Sequence, residues 1–203
     1  MPALAITDHG NMYGVKEFFK FAGKHVDKAT GHFKVKPIIG CEVYVCRDRL
    51  DKSAANREYS HLILLCENNT GYQNLMKLVS EGFLTGYYYR PRIDYNLIRQ
   101  HSEGLICLSA CLSGDLPKLL LQGRYDDAEA YVREMQDIFG EKNFYVEIMD
   151  HGIREEKIVM PRLISLAREM NVPLVATNDC HYLEEKDADA QEVLLCIQTG
   201  KTL

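Results

Sequence analysis

The sequence predicts an α/β fold and, within that class, a βα barrel. Short apolar runs rich in Val, Ile and Leu recur roughly six times, with longer amphipathic stretches between them. Their near-continuous apolarity suits strands covered on both faces, as in parallel sheets. No strand candidate is followed by Gly-x-Gly-x-x-Gly or Gly-x-x-x-x-Gly-Lys-Ser/Thr. That absence counts against a nucleotide-binding doubly wound sheet and favours the barrel.

The elements follow in order. AlaLeuAlaIleThr reads as a buried strand, and a helix of about 12–28 follows it, with Asn11 where an N-cap stands. ProIleIleGlyCysGluValTyrVal is the second strand, and the charged stretch of about 46–58 after it reads as a loop. HisLeuIleLeuLeuCys is the third strand. A helix of about 70–84 follows, with Asn69 or Thr70 as its cap, and Asp94 marks another helix start. GlyLeuIleCysLeuSerAla precedes a helix of about 124–139, past whose end lies Gly140. PheTyrValGluIleMet, a helix of about 154–170 and ProLeuValAlaThr complete the alternation. AlaGlnGluValLeuLeuCysIleGlnThr is a last amphipathic helix that stops at Gly200. A strand pattern with no lead-in at Met1 suggests a fragment from which an earlier element is missing.

With 203 residues, 46% hydrophobic and 26% charged, the chain has the composition of an ordinary globular protein, long enough to bury a core as one domain, 1–203. A net charge of −5 excludes a uniformly basic surface, so a polyanion would have to meet a local basic patch or bound metal. Most of the seven cysteines (Cys41, Cys66, Cys107 and Cys196 among them) lie in apolar runs, where free thiols act as small hydrophobes. This usage fits a reducing cytoplasm, and no Cys-x-x-Cys pair suggests a zinc ribbon. No signal peptide or segment of membrane-spanning length is found, so the expected location is cytoplasmic, with no membrane partner.

In βα barrels chemistry collects where strands end, so polar residues closing the apolar runs are the candidates. Asp8 and His9 follow the first strand, Glu42 interrupts the second, Cys111 follows the fourth and Glu147 lies inside the fifth. His61 opens its strand instead of closing it, and so fits this rule badly. Asp179 and His181 are two residues apart after the last strand, where extended backbone turns both the same way. Each has an ordinary alternative. AspHisGly is a common turn, Glu42 suits a buried salt bridge, His61 a satisfied core histidine and Cys111 plain core. Taken together on one barrel mouth, they point to a metal cluster, because unpaired buried charges would cost several kcal/mol each, on the order of desolvation penalties. Mixed imidazole and carboxylate donors suit zinc, manganese or iron, and paired ions are the usual apparatus of phosphoester hydrolysis.

The strings AlaLeuAlaIleThrAspHisGlyAsnMetTyrGly, LysProIleIleGlyCysGluValTyrVal, SerHisLeuIleLeuLeuCys, TyrTyrTyrArgProArgIleAsp, LeuSerAlaCysLeuSerGly and AlaThrAsnAspCysHisTyrLeu, in this order, closely resemble the PHP (polymerase and histidinol phosphatase) domain of bacterial DNA polymerase III alpha subunits. The resemblance runs end to end. It implies a distorted (β/α)7 barrel, here lacking its first strand, whose mouth binds divalent metal ions, zinc before manganese or iron. Carried over by motif, the implied metal ligands are His9, Glu42, His61, Cys111, Asp179 and His181, with Asp8, His9 and Asp179 as catalytic candidates. The family's opening His-x-His strand and a further ligand would precede Met1, and the polymerase domains would follow Leu203. The resemblance further implies DNA, the remaining alpha-subunit domains and other replicase subunits as partners. The activity it implies is metal-dependent 3′-to-5′ exonuclease chemistry within a DNA-replicating parent.

GlyTyrTyrTyrArgProArg sets Arg90 and Arg92 beside Tyr88, a mix that grips a phosphate backbone and stacks bases, or alternatively makes a domain interface. Two rival functions remain in view. One is a scaffold whose metal site only stabilises the domain. The other is a free-standing phosphatase of the histidinol-phosphate type, disfavoured by the GlyLysThrLeu ending.

Overall fold

The computed structural model describes all residues, Met1–Leu203. All six apolar runs form strands: β1 (Ala3–Ile6), β2 (Lys36–Cys46), β3 (Ser60–Cys66), β6 (Leu105–Leu108), β7 (Phe144–Ile148) and β8 (Leu174–Ala176). Two short strands were not expected, β4 (Tyr87–Tyr88) and β5 (Arg90–Asp94). Pro91 and the Tyr-Arg mix hid them, since neither shows apolar alternation. The helices are α1 (Val15–Lys24), α2 (Asn69–Leu84), α3 (Tyr95–Gln100), α4 (Asp115–Leu121), α5 (Tyr125–Phe139), α6 (Arg154–Glu169) and α7 (Ala188–Thr199).

Cap chemistry sets several boundaries. Asp94 accepts from Leu97 N–H at 2.9 Å and starts α3, as expected. The cap of α2 is Asn68, whose side chain accepts from Gly71 N–H at 3.1 Å, one residue before the positions expected. Asn11 instead closes a turn onto Tyr13 N–H, and α1 begins later, at Val15. Gly140 and Gly200, both at positive φ, end α5 and α7.

The sheet runs β4-β5-β2-β3-β6-β7-β8, with β1 paired to the first half of β2. It is a curled, open half-barrel in which no pairing joins β8 to β1. An all-parallel sheet is not what forms. β3 is antiparallel to both of its neighbours, β2 and β6, whereas β1, β2 and β5, and likewise β6, β7 and β8, pair in parallel. The physical reason is the connection: residues 47–59 contain only a 3₁₀ turn, Ala54–Asn56, and a segment without a crossover helix returns the chain antiparallel.

Alternation then assigns the two faces. Val43, Val45, Leu62, Leu64, Cys107, Phe144 and Val146 point outward into a core of 26 buried residues shared with the helices, including Leu75 and Leu78 of α2 and Leu163 of α6. Ile63 and Leu108, with Ala110, form a second, small cluster on the concave face, packed by Leu65, Tyr145 and Val175. Glu42 and His61 share that concave face with Ile63, because Tyr44 lies opposite His61 and Glu42 opposite Ile63.

Candidate metal centre

The reversed direction of β3 explains His61. A strand running against its neighbours brings its first residues to the rim where they finish, so a histidine that opens its strand meets residues that close theirs. His61 is held there by its backbone, donating to Ser113 O at 3.1 Å. The preceding Ser60 donates to Asp115 Oδ1 at 2.5 Å, and Lys118 Nζ donates to Tyr59 O at 3.1 Å. The first turn of α4 thus fixes where β3 starts.

Glu42 is the centre of the cluster, 3% exposed. Its Oε1 accepts from His9 Nδ1 at 2.5 Å and lies 3.0 Å from His61 Nδ1. Cys111 Sγ is 3.7 Å from His61 Nδ1. Ligand atoms of Glu42, His61 and Cys111 all lie within 4.8 Å of one another. His9 reaches this group because β1 runs on beside β2: Glu42 N–H donates to Asp8 O at 3.1 Å and Gly10 N–H to Glu42 O at 2.7 Å.

His181 joins from the far edge of the sheet, its ring 5.3 Å from that of His9. Its Nδ1 is 2.8 Å from the Asp179 carbonyl, and a carbonyl only accepts, so the proton sits on Nδ1 and the Nε2 lone pair is free to ligate. Asp179 Oδ1 lies 4.0 Å from the same ring nitrogen. Two of the four non-glycine residues at positive φ belong to this region, Ala110 (φ 64°) beside Cys111 and Asp179 (φ 43°). Such strain recurs at functional sites.

Burial would lift the Glu42 carboxyl, but hydrogen bonds from His61 and His9 outweigh it and hold the group at about 2. Burial would lower His61; contacts with Cys111 and Glu42 win and raise it to about 9. The Glu42 hydrogen bond likewise raises His9. Protons on the two imidazoles therefore balance the buried carboxylate, and a divalent cation bound to these atoms would displace them. Thiol, imidazole and carboxylate at these separations are a donor set that could hold a divalent cation.

Three expected site residues lie elsewhere. The Asp8 carboxylate faces Gly14 at the start of α1, where a Cβ would approach its Oδ2 to 2.9 Å, so it complements a helix N-terminus. Its backbone, not its side chain, serves the cluster. Arg92 is fully buried and donates to the carbonyls of Gly86, Asp51 and Asn56, with its guanidinium 5.0 Å over the Tyr88 ring. Arg92 and Tyr88 therefore clamp the loop ahead of β3, and the expected nucleic-acid contact is not available to Arg92. Arg90 differs. It is partly exposed, lies 5.7 Å over the Tyr44 ring, and its pKa is raised by Tyr59. Tyr59 stacks on His61 at 6.2 Å and Tyr44 meets it edge-on at 5.4 Å, so Arg90 stands behind the aromatic wall of the cluster.

His151 was missed from sequence. Its Nε2 is 2.7 Å from Asn178 O, bracing the residue before Asp179, and its Nδ1 is 2.7 Å from Glu156 Oε1. The available signal was a second AspHisGly, residues 150–152, repeating 8–10 after another apolar strand.

Comparison with known proteins gives the family. The PHP domain family model matches residues 1–151, a span holding His9, Glu42, His61 and Cys111. The chain belongs to the PHP domain family. This PHP chain is 52% identical over 202 residues to the DNA polymerase III subunit alpha of Treponema pallidum, with 98% of the chain and 17% of that protein covered. For the subunit of the same name from Thermus aquaticus the identity is 47% over 206 residues, covering 100% and 16%. For that of Borreliella burgdorferi it is 44% over 204 residues, covering 98% and 17%. The PHP chain thus spans about a sixth of the length of these relatives. No helix is long and apolar enough to cross a membrane.

Proposed function

We propose that this chain is the PHP segment of a replicative DNA polymerase III alpha subunit and that its cluster is a divalent-metal site for phosphodiester hydrolysis. The observation that carries the reading is the convergence of Glu42, His61 and Cys111 within 4.8 Å, with His9 on the same carboxylate oxygen. Zinc is the favoured ion, since a thiol among imidazoles and a carboxylate is a softer set than magnesium or calcium takes. When bound, such ions polarise a phosphoryl oxygen and lower the pKa of water. The chain's own part is to hold them: Glu42 and His61 from the concave sheet, His9 and Cys111 from adjoining strand ends, Asp179 and His181 from the segment after β8. Arg90 offers a positive charge to the DNA phosphate next to this wall. Cytoplasmic location suits seven free cysteines. The further domains and replicase subunits named by the resemblance, with DNA, are the proposed partners.

With a 3′-labelled DNA strand and added zinc or manganese, the chain, or a longer one carrying the expected His-x-His strand, should release nucleotides. Chelation or Asp179→Asn should abolish release. Release that survives either change would overturn the reading.

A non-catalytic scaffold is the alternative, and α7 favours it. None of its residues is buried, and Val193, Leu194, Leu195 and Ile197 are exposed in one short helix, which suits contact with a neighbouring domain. Stability lost on chelation with no nuclease activity at any metal would support the scaffold.

A further inference from the structure

The concave face holds one carboxylate that the reading above leaves unused. Glu147, on β7, is 6% exposed, and its Oε2 is the one buried side-chain nitrogen or oxygen without a hydrogen-bond partner. Its Oε1 accepts from the Thr177 hydroxyl at 2.5 Å, and its backbone N–H donates to Ser109 Oγ at 2.9 Å. These partners tie Glu147 to both loops that deliver late ligands: Ser109 lies two residues before Cys111, and Thr177 two before Asp179. A cavity of about 10 Å³, room for about one water and lined mostly by hydrophobic side chains such as Leu112, Val159 and Leu163, touches Glu147 and Cys111 together. Burial raises the Glu147 carboxyl above its ordinary range; the Thr177 hydroxyl opposes this, and the charge of Asp179, then that of Glu42, adds to it.

An unpaired buried oxygen is costly, and an apolar side chain of similar size on this strand would avoid the cost. Packing therefore gives no account of a carboxylate here. A water in the cavity would satisfy the oxygen but leave the carboxylate beside that of Asp179, two residues beyond its Thr177 partner. A cation answers both. We propose that Glu147 belongs to the cation-holding cluster: Oε1 orients the Thr177–His181 segment, and the free Oε2 supplies a further negative charge to the bound divalent ions. This rests on the metal-site reading and adds a residue that the motif resemblance does not carry over.

The test is zinc titration by calorimetry on the whole chain, with thermal unfolding in excess chelator, for wild type, Glu147→Gln, Thr177→Val and His61→Ala. Glu147→Gln should bind zinc about 10- to 100-fold more weakly, the range typical of supporting groups at metal sites. In chelator it should melt no lower than wild type, because a crowded, unpaired acid has been removed. Unchanged zinc affinity overturns the proposal and leaves a water-satisfied buried acid. Weaker binding accompanied by a lower melting temperature in chelator also overturns it, in favour of packing. Thr177→Val keeps the charge and deletes the hydrogen bond. A loss of affinity as large as that of Glu147→Gln would show that orientation, not charge, is supplied, and the charge assignment falls. If wild type takes up no zinc, or His61→Ala binds as well as wild type, it is the metal-site reading itself that fails.

Discussion

Glu42 and His61 make opposite demands on pH. In chelator, the depressed Glu42 carboxyl contributes stability that is full above about 4.5 and is lost as pH falls toward about 2. The elevated His61 contributes stability that is full below about 6.5 and is lost as pH rises through about 9. Both contributions are complete only between those two ordinary values. Thermal melts across pH should therefore show Glu42→Gln most destabilising in that window, on the order of 3 kcal/mol for a broken buried pair. Zinc reverses the upper limb. Because ligation displaces the His61 proton, zinc affinity should rise about tenfold per pH unit for each proton released, levelling near 9. Calorimetry in buffers of differing ionisation heat would count those protons. At this scale His9 and Cys111 were legible as polar residues following apolar strands, and Glu42 as a charge inside one. Asp8 was not, since AspHisGly does not say which of two adjacent side chains turns inward. Arg92 was misread because an arginine beside tyrosines looks alike whether it faces solvent or carbonyl oxygens.

Among the elements, the long helices and the six apolar strands were legible from their periods, while of the side-chain N-caps only Asp94 stands where it was expected. Strand direction was not, since apolar alternation is the same read either way along a strand. Only the connection between β2 and β3, which holds no crossover helix, carried that information. The contact of α2 with the turn before β6 is equally constrained. A Cβ at Gly71 would lie 1.8 Å from Gly104 O, and Gly104 itself sits at φ 74°. Gly71→Ala should thus cost at least about 1–3 kcal/mol through overpacking of backbone on backbone, seen as an earlier denaturant midpoint with an unchanged slope. Arg92→Met should cost about 3 kcal/mol, because three carbonyls lose their donors inside the protein. Neither change alters a proposed ligand. Gly71→Ala should leave zinc stoichiometry intact where the protein remains folded, while Arg92→Met should weaken zinc binding by loosening the start of β3.

For the molecule as a whole, His9 and His181, proposed ligands from the two ends of the sequence, have rings 5.3 Å apart across an open sheet, so cations held there would join parts that strand pairing leaves apart. Zinc at about a thousand times its dissociation constant should stabilise the fold by about 4 kcal/mol, and chelation should remove that gain. A melting temperature indifferent to chelator would deny the cluster any such role. The barrel class was legible from alternating strands and helices, but its openness was not, because edge pairing leaves no mark on local pattern. The segment from Arg47 to Tyr59 has a practical bearing. Exposed and polar, it looks like a convenient place to splice in a fluorophore or an affinity handle. Yet Arg92 holds its backbone, and Arg49 within it pairs with buried Asp94 at 2.9 Å. An insertion there would disturb the alignment of β3, and one slipped residue would turn His61 out of the concave face. The open turn beside Gly123, with that glycine itself kept because it sits at φ 73°, is the better insertion point.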